Sequence, residues 1–247
     1  MSGYDAFSDD YYVNMHLSTE LDMPRERQSV MHFFEQIQRR YRTMQNFYSR
    51  EKHEFVLEED KESGQYAWAS VEPRRISCGN VNPTNLDEAV EQQRTILDMT
   101  PYALSISPLE CETLSVMFGF DFTYRGNQNE LLAEALGVLP AFEKALEVPG
   151  ISMLSHEPSL QFAIDDECRT QCRIGFETRT TAYQIRTGDF SEDQLSVYLT
   201  VRRFDSLRFD QSFADEYSRL AQLGRNLVED YLIQNVLRPL QQTIALH

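Results

Sequence analysis

Glutamate and arginine recur two residues apart at two places in the chain, in ASVEPR (69–74) and IGFETR (174–179). Side chains two residues apart on a β-strand point to the same side of a sheet. If both stretches are strands, each places a carboxylate beside a guanidinium on a polar sheet face. Arginine supplies planar donors that suit a carboxylate. The pattern therefore predicts a binding surface containing Glu72, Arg74, Glu177 and Arg179.

Other polar side chains fall on the same face if the neighbouring strands alternate in the same way. They are Asn14, His16, Glu20, Trp68, Asp121, Thr123, Arg173, Tyr198, Thr200 and Arg202. Trp68 is the only tryptophan and offers stacking area. His16 and Glu20 would be an acid–base pair if this face were catalytic. The alternative is a solvated outer face whose ion pairs contribute little.

Two further clusters could carry chemistry. Cys168 and Cys172 flank a predicted turn, as a redox pair or half a metal site would, but no histidine or second cysteine pair is near in sequence. The acidic runs 58–60 and 165–167 sit at strand ends, where carboxylates also serve solubility. We find no zinc, EF-hand or nucleophile motif. The catalytic residues therefore stay unknown, and we expect no metal and no cofactor.

Composition narrows the class of protein. The 247-residue chain has a formal net charge of −16, which disfavours nucleic acid as a partner. With only 10 glycines, it contains no phosphate-binding glycine loop. No apolar run reaches the length of a membrane span, and the first residues lack the pattern of a secretory signal. We expect a cytoplasmic protein that does not bind membranes.

The first half alternates between strand and helix patterns. The acidic residues 1–10 are predicted to be disordered. A strand at 11–21 precedes a helix that opens at Pro24 and whose apolar stripe continues to Tyr48. Strands at 54–60 and 65–72 follow, the chain stays extended to residue 80, and a helix covers 86–97.

The second half restarts this pattern with a strand at 113–124 and a helix at 129–146. Four strands are then predicted, at 159–167, 172–179, 181–187 and 194–204. A long helix at 212–245 closes the chain, with a kink expected at Pro239. The last strand gives the second half one strand more than the first.

Short stretches match between the halves at nearly constant spacing. FVLEED (55–60) matches FAIDDE (162–167), and VEPR (71–74) matches FETR (176–179). We interpret this as an internal duplication, with repeats at 11–104 and 105–247. The element order resembles the TATA-binding-protein-like fold, a duplicated β-α-β4-α unit. Helix-grip and dimeric ferredoxin-like folds are alternatives. Each implies an α+β fold with antiparallel sheets backed by helices, and none implies a function.

Three functions remain open. The favoured one is a non-enzymatic binding or adaptor protein that uses the polar sheet face to hold a protein partner or small molecule. The second is a carrier with an apolar pocket between helices and sheet, lined by residues such as Phe118, Phe120, Phe176 and Tyr217. The third is an enzyme acting at the sheet face. The apolar stripe of the first helix could also pair with a second subunit, which leaves a homodimer open.

Overall fold

A computed structural model describes residues 4–23, 27–50 and 54–247. Its centre is one antiparallel sheet with the strand order β2-β3-β4-β5-β1-β6-β9-β8-β7. The strands are β1 (Asp10–Thr19), β2 (Asn46–Arg50), β3 (Glu54–Glu58), β4 (Tyr66–Glu72), β5 (Arg75–Val81), β6 (Cys111–Tyr124), β7 (Ser159–Ala163), β8 (Thr170–Glu177) and β9 (Asp193–Phe204). The predicted α+β class with an antiparallel sheet is confirmed.

The helices with buried side chains pack on one face of this sheet. They are α1 (Arg27–Arg40), α2 (Leu86–Ala103), α3 (Gln128–Leu136), α6 (Phe213–Leu227) and α7 (Arg238–Leu246). Two short helices, α4 (Pro140–Leu146) and α5 (Ala182–Thr187), bury no side chain. A π-helical segment, Val228–Leu237, joins α6 to α7. The chain therefore continues helically past Pro239, which lies in the first turn of α7, where proline fits. Among the described residues, no helix has the length and apolarity needed to span a bilayer.

Alternation along the strands separates the core from the opposite face. In β1 the side chains of Val13, Met15 and Leu17 are fully buried under helices, while His16 points the other way. In β6 and β9, runs such as Val116–Phe118 and Val197–Leu199 alternate in the same manner. The face turned away from the helices is called the open face below.

Buried polar groups tie the helical layer to the sheet. Gln93 of α2 is fully buried, and its Nε2 donates to the Val13 carbonyl oxygen (2.9 Å) and to Asn80 Oδ1 (2.8 Å). The Tyr217 hydroxyl of α6 donates to Gln93 Oε1. Since buried polar groups need partners, this network fixes α2 and α6 relative to β1 and β5.

Two predicted elements are wrong. The first helix ends at Arg40, and Asn46–Arg50 forms the edge strand β2, although Met44 and Tyr48 continue the helical spacing. The stretch 181–187, predicted as a strand, contains the helix α5. Thr181 caps it in a box with Gln184, and Gly188 ends it with φ 69°. The first half consequently has five strands and the second half four, the reverse of the prediction.

Several smaller differences concern helix ends and the N-terminus. The predicted helix at 129–146 is two helices, α3 and α4, separated at Gly137, whose φ is 80°. The predicted helix start at Pro24 lies outside the described residues. Tyr4, within the predicted disordered lead, is 5% exposed and packs against Tyr11 and Phe120. Residues 4–9 are therefore part of the folded structure.

Candidate functional site

The centre of the open face carries a groove of about 670 Å³. It runs over four adjacent strands, from the central strand β1 through β6 and β9 to β8, which lies next to the edge strand β7. Its volume lies in the range of small-ligand sites. The lining residues are Tyr12, Asn14, Met117, Arg173, Gly175, Phe176, Glu177, Tyr198, Thr200 and Arg202. Strand alternation places all of them except Phe176 on the open face.

Glycines form part of the floor of this face. A Cβ on Gly119 would overlap the Tyr12 ring, and a Cβ on Gly79 would overlap the Asn14 side chain. Neither position has a positive φ, so space and not backbone conformation requires glycine there. The side chains of Tyr12 and Asn14 lie flat against the sheet, over Gly119 and Gly79 of the neighbouring strands, and the groove above them stays open. At Gly175 the nearest atom to an added Cβ is Arg173 Nε at 3.7 Å, so that position has room for a side chain.

Among the residues that line the groove, Asn14 has an unusual environment for a polar side chain. The residue is 9% exposed, and no group among the described residues forms a hydrogen bond with its Oδ1 atom. The Trp68 indole nitrogen lies over the same glycine, Gly79, as that oxygen, and forms no hydrogen bond with it. A buried polar atom left unpaired costs about 1–3 kcal/mol. That oxygen is buried over Gly79 of β5, on the side of Asn14 away from β6, β9 and β8, so a ligand donor in the groove reaches it only if the Asn14 amide rotates.

One end of the groove holds a network of hydroxyls and carboxylates. The Tyr198 hydroxyl donates to Glu177 Oε2 (2.7 Å), and Tyr12 lies 3.5 Å from Asp121 Oδ1. Arg179 donates to Ser196 Oγ (3.1 Å) and lies 3.8 Å from Glu177. Burial raises the pKa of Asp121 and of both tyrosines. We call this group the acidic end.

The other end is basic. Arg75, Arg173 and Arg202 project from β5, β8 and β9, and His16 lies between them on β1. Burial first, then Arg75 and Arg202, lower the pKa of His16 to about 4, so the ring is neutral at pH 7. Burial, Arg173 and Arg75 lower the pKa of Arg202. We call this group the basic end.

The structure brings most of the predicted site residues to the open face. Trp68 and Glu72 lie there on β4, His16 on β1, and Arg173 and Glu177 on β8, with Arg179 just beyond. Glu177 and Arg179 are neighbours, as the Glu-x-Arg spacing predicted. The groove itself involves Arg173 and Glu177, while Trp68, His16 and Arg179 border it.

Arg74 and Glu20 are placed elsewhere. The chain turns at Pro73 and Arg74, so Arg74 contacts the Thr19 carbonyl oxygen and Glu112 at the sheet end. Arg75, the first residue of β5, takes the place beside Glu72 at 3.9 Å. Glu20 follows β1, is exposed, and pairs through its backbone with Glu110. The expected pairs Glu72–Arg74 and His16–Glu20 are therefore wrong.

Other groove residues were missed in the sequence. Tyr12 precedes Asn14 by two positions and shares its alternation, so the strand pattern could have included it. Gly79, Gly119 and Gly175 have no local signal of their role. Their importance depends on which side chain of the next strand lies across them, and strand register supplies that information.

The remaining sequence candidates have structural roles. Cys172 is buried, which raises its pKa to about 12, and Cys168 is exposed and forms no disulfide. Asp165 accepts from the backbone of Arg169 and Thr170 in a tight turn. Within the described ranges, histidine, cysteine and carboxylate side chains do not come together in a group of three that could hold a metal ion.

An apolar pocket of about 510 Å³ lies on the helical side of the sheet, near β7 and β8. Leu136, Ile174, Phe176, Tyr231 and Val236 contribute most of its apolar wall. Of the residues expected to line a carrier pocket, only Phe176 does so. Phe118, Phe120 and Tyr217 are fully buried in the core.

Comparison of the chain with protein-family models and with the sequences of curated proteins gave no match. The geometry of the open face is therefore the ground for a functional assignment.

Proposed function

We propose that the protein is a non-enzymatic binding protein whose ligand lies in the groove on the open face. The observation that carries this proposal is the groove itself, a concave site of ligand size whose lining includes Asn14, and among the described residues the buried amide oxygen of Asn14 has no hydrogen-bond partner. The overlaps at Gly79 and Gly119 add support, because side chains at either position would lift Asn14 and Tyr12 into the groove. A solvated outer face has no need for such fitting.

The side chains of the open face favour binding over catalysis. His16 Nδ1 lies 2.8 Å from Ser77 Oγ, which is the spacing of a nucleophile and its base. Ser77 is 3% exposed, however, and the structure shows no carboxylate on His16 among the described residues. Catalysis by this pair requires an accessible nucleophile and an oriented base. The pair fits a structural hydrogen bond.

We further infer that the chain arose by internal duplication, in the manner of the TATA-binding-protein-like fold. Support comes from the strand order, in which β1 and β6 are central neighbours and the later strands of each half extend outward from them. The matched stretches VEPR and FETR fall at the ends of β4 and β8, both two strands away from that centre. The cytoplasmic location and the homodimer stay predictions.

The apolar pocket favours a second function, a carrier of a small apolar molecule. Its wall combines side chains of the sheet, such as Ile174, with those of the π-helical segment, such as Val236. His156 also lines it, and in the described part of the chain nothing forms a hydrogen bond with the buried His156 Nε2. A ligand here would be apolar with one polar group. A bound molecule of that kind that tolerates blocking of the open-face groove would favour this alternative.

The proposed function is tested with Trp68, the only tryptophan, as a reporter beside the groove. Gly175→Phe blocks the groove at the position with room for a side chain. Ala163→Phe adds the same group on the exposed edge strand β7, outside the groove. The low-molecular-mass fraction of a cell extract should change the Trp68 emission of wild type and Ala163→Phe, and not of Gly175→Phe. An equal response in Gly175→Phe, or no response in wild type, would refute the proposal.

A further inference from the structure

We propose that the basic end of the groove binds an anionic group of the ligand, a carboxylate or a phosphate, with Arg173 and Arg202 as the direct contacts. This inference rests on the proposed function and names the chemical class of the ligand. It starts from an imbalance of charge. The chain has 39 acidic and 23 basic residues, yet the basic end gathers arginines from separate strands on one concave surface.

The two arginines lack carboxylate partners. In the described part of the chain, the structure gives Arg173 only the Ser159 hydroxyl, at 3.1 Å, and gives Arg202 only the Phe204 ring, at 5.9 Å. Nearby arginines differ, because each has a carboxylate oxygen within 4.0 Å: Arg75, Arg179 and Arg203. Apart from the Arg173 Nε–H group that donates to Ser159, the described residues leave the guanidinium donors of Arg173 and Arg202 available to a ligand.

Register places Arg173 and Arg202 on adjacent strands with their side chains on the same face, whereas their guanidinium groups turn toward different partners, Ser159 of β7 and Phe204. Both side chains must rotate to share one ligand group. Arg173 of β8 is opposite Thr200 of β9, and Arg202 follows Thr200 by two residues on the same face. Diagonal neighbours of this kind have Cβ atoms about 7–8 Å apart. Two long side chains at that distance can reach a single carboxylate or phosphate from two sides, with paired donors from each fork. Thr200 adds a hydroxyl beside them.

In the unliganded protein, the positive charges of the basic end repel one another. Arg202 is partly desolvated and lies in the field of Arg173 and Arg75, and both effects disfavour its charged form. Its field and that of Arg75 also act on His16. Like charges held together on a surface are destabilising unless an anion lies among them. An anionic ligand group would supply that missing charge.

Asn14 adds a second requirement for the ligand. Asn14, Met117, Thr200 and Arg173 form one row across four strands, so three interstrand spacings separate Asn14 from Arg173. At about 4.8 Å per spacing, that is about 14 Å. A ligand that meets Arg173 and also, after rotation of its amide, Asn14 is elongated, with an anion at one end and a hydrogen-bond donor toward the other. Because Trp68 lies over the same glycine as Asn14, its fluorescence emission should change when that donor binds.

The test measures thermal unfolding with inorganic phosphate or succinate, against chloride at matched ionic strength. Variants are Arg173→Gln, Arg202→Gln and, as control on the same face outside the groove, Arg50→Gln. One of the two anions should raise the unfolding midpoint of wild type and Arg50→Gln. Each groove variant should weaken the apparent affinity at least tenfold, the loss expected for a charged hydrogen bond. The preferred anion separates phosphate from carboxylate chemistry.

Without added anion, Arg202→Gln should also raise the unfolding midpoint, because it removes like-charge repulsion. The proposal is overturned if neither anion stabilises the wild type, or if both arginine variants respond as Arg50→Gln does. A Trp68 response to extract that Gly175→Phe abolishes and both arginine variants retain would overturn the anion site alone. A response that survives Gly175→Phe would instead remove the proposed function itself.

Discussion

At the scale of single residues, the open face is defined by groups in unfavourable surroundings. Among the described residues the Asn14 amide oxygen has no partner, Arg202 lies in the field of two other arginines, and His16 is held neutral. Each arrangement lowers the stability of the unliganded fold. Groups of this kind gather at functional sites more often than elsewhere.

His16 gives the molecule a defined pH dependence. Its pKa is 6.5 when unperturbed and is lowered to about 4 in the folded protein, first by burial and then by Arg75 of β5 and Arg202 of β9. Between these values the unfolded state binds the extra proton. Stability is therefore full above about pH 6.5 and falls as the pH drops toward 4, by roughly 3 kcal/mol in total.

His16→Gln should remove this loss and change little at pH 7.5. Urea unfolding at pH 7.5, 6.0 and 5.0 measures it, with the wild type and the variant compared at each pH. The difference in unfolding free energy should shift in favour of the variant as the pH falls. A difference that is constant across the three pH values would show that the ring titrates alike in both states.

The glycines of the open face should differ in their tolerance of a methyl group. Gly119→Ala places a Cβ against the Tyr12 ring and should cost about 1–3 kcal/mol, as overpacking does. Gly175→Ala is the matched control, with its nearest contact at 3.7 Å, and should change stability by less than about 1 kcal/mol. Urea unfolding measures both, and equal costs would mean that the Tyr12 ring does not lie over Gly119.

Residue placement was predictable where alternation alone decides it. Glu177 and Arg179 came from the spacing, and Asn14, Tyr198, Thr200 and Arg202 from the period of two along their strands. The prediction for Arg74 was wrong because strand β4 ends at Glu72 and the chain turns at Pro73, so the alternation does not extend to Arg74. The groove needs cross-strand register as well, and a single sequence contains no direct record of which side chain lies across which glycine.

At the scale of elements, helix α2 depends on Gln93 for its position on the sheet. Gln93→Leu would remove the hydrogen bonds that Gln93 forms with the Val13 carbonyl, Asn80 and the Tyr217 hydroxyl. Buried groups without partners cost about 1–3 kcal/mol apiece, so a loss of about 3 kcal/mol or more is expected.

The control for this change is Gln36→Leu on α1, a half-buried glutamine whose side chain, among the described residues, bonds to exposed His32. Surface changes of this kind stay within about 0.5 kcal/mol. Chemical denaturation measures both variants. If Gln93→Leu were as mild as the control, the buried network would not hold α2 in place.

Elements were predictable where one signal dominated. The stripe of Val30, Phe34 and Ile37 indicated α1 correctly. It also continued into β2, because Met44 and Tyr48 happen to keep the helical spacing while Asn46–Arg50 pairs with β3. At α5 the alternation of residues 181–187 led to the prediction of a strand. The capping box at Thr181 and the glycine at 188 are local signals that indicate a helix instead.

At the scale of the molecule, a single sheet passes through both halves of the chain. β1 and β6 pair along nearly their whole length, and Tyr4 of the first half packs on Phe118 and Phe120 of the second. Arg225 of α6 reaches Asp87 of α2. The sequence indicated two similar halves, and the shared sheet depends on this pairing between them.

Unfolding should therefore occur in one cooperative transition. Separating the halves would expose two central strands and their apolar faces at once, so neither half should persist when the other unfolds. Far-ultraviolet circular dichroism and Trp68 emission report on the whole sheet and on the first half, respectively. Their thermal transitions should coincide. Two separate midpoints would show that the two halves of the chain unfold as independent units.

The central claim is that the open-face groove holds a ligand, and native mass spectrometry of freshly purified protein tests it most directly. The account predicts a mass above a whole multiple of the 28.8 kDa chain, with the excess lost on denaturation. The excess should be absent from Gly175→Phe, present in Ala163→Phe, and match an anionic molecule. An excess of equal size in Gly175→Phe would contradict the account, because the ligand would then lie outside the groove.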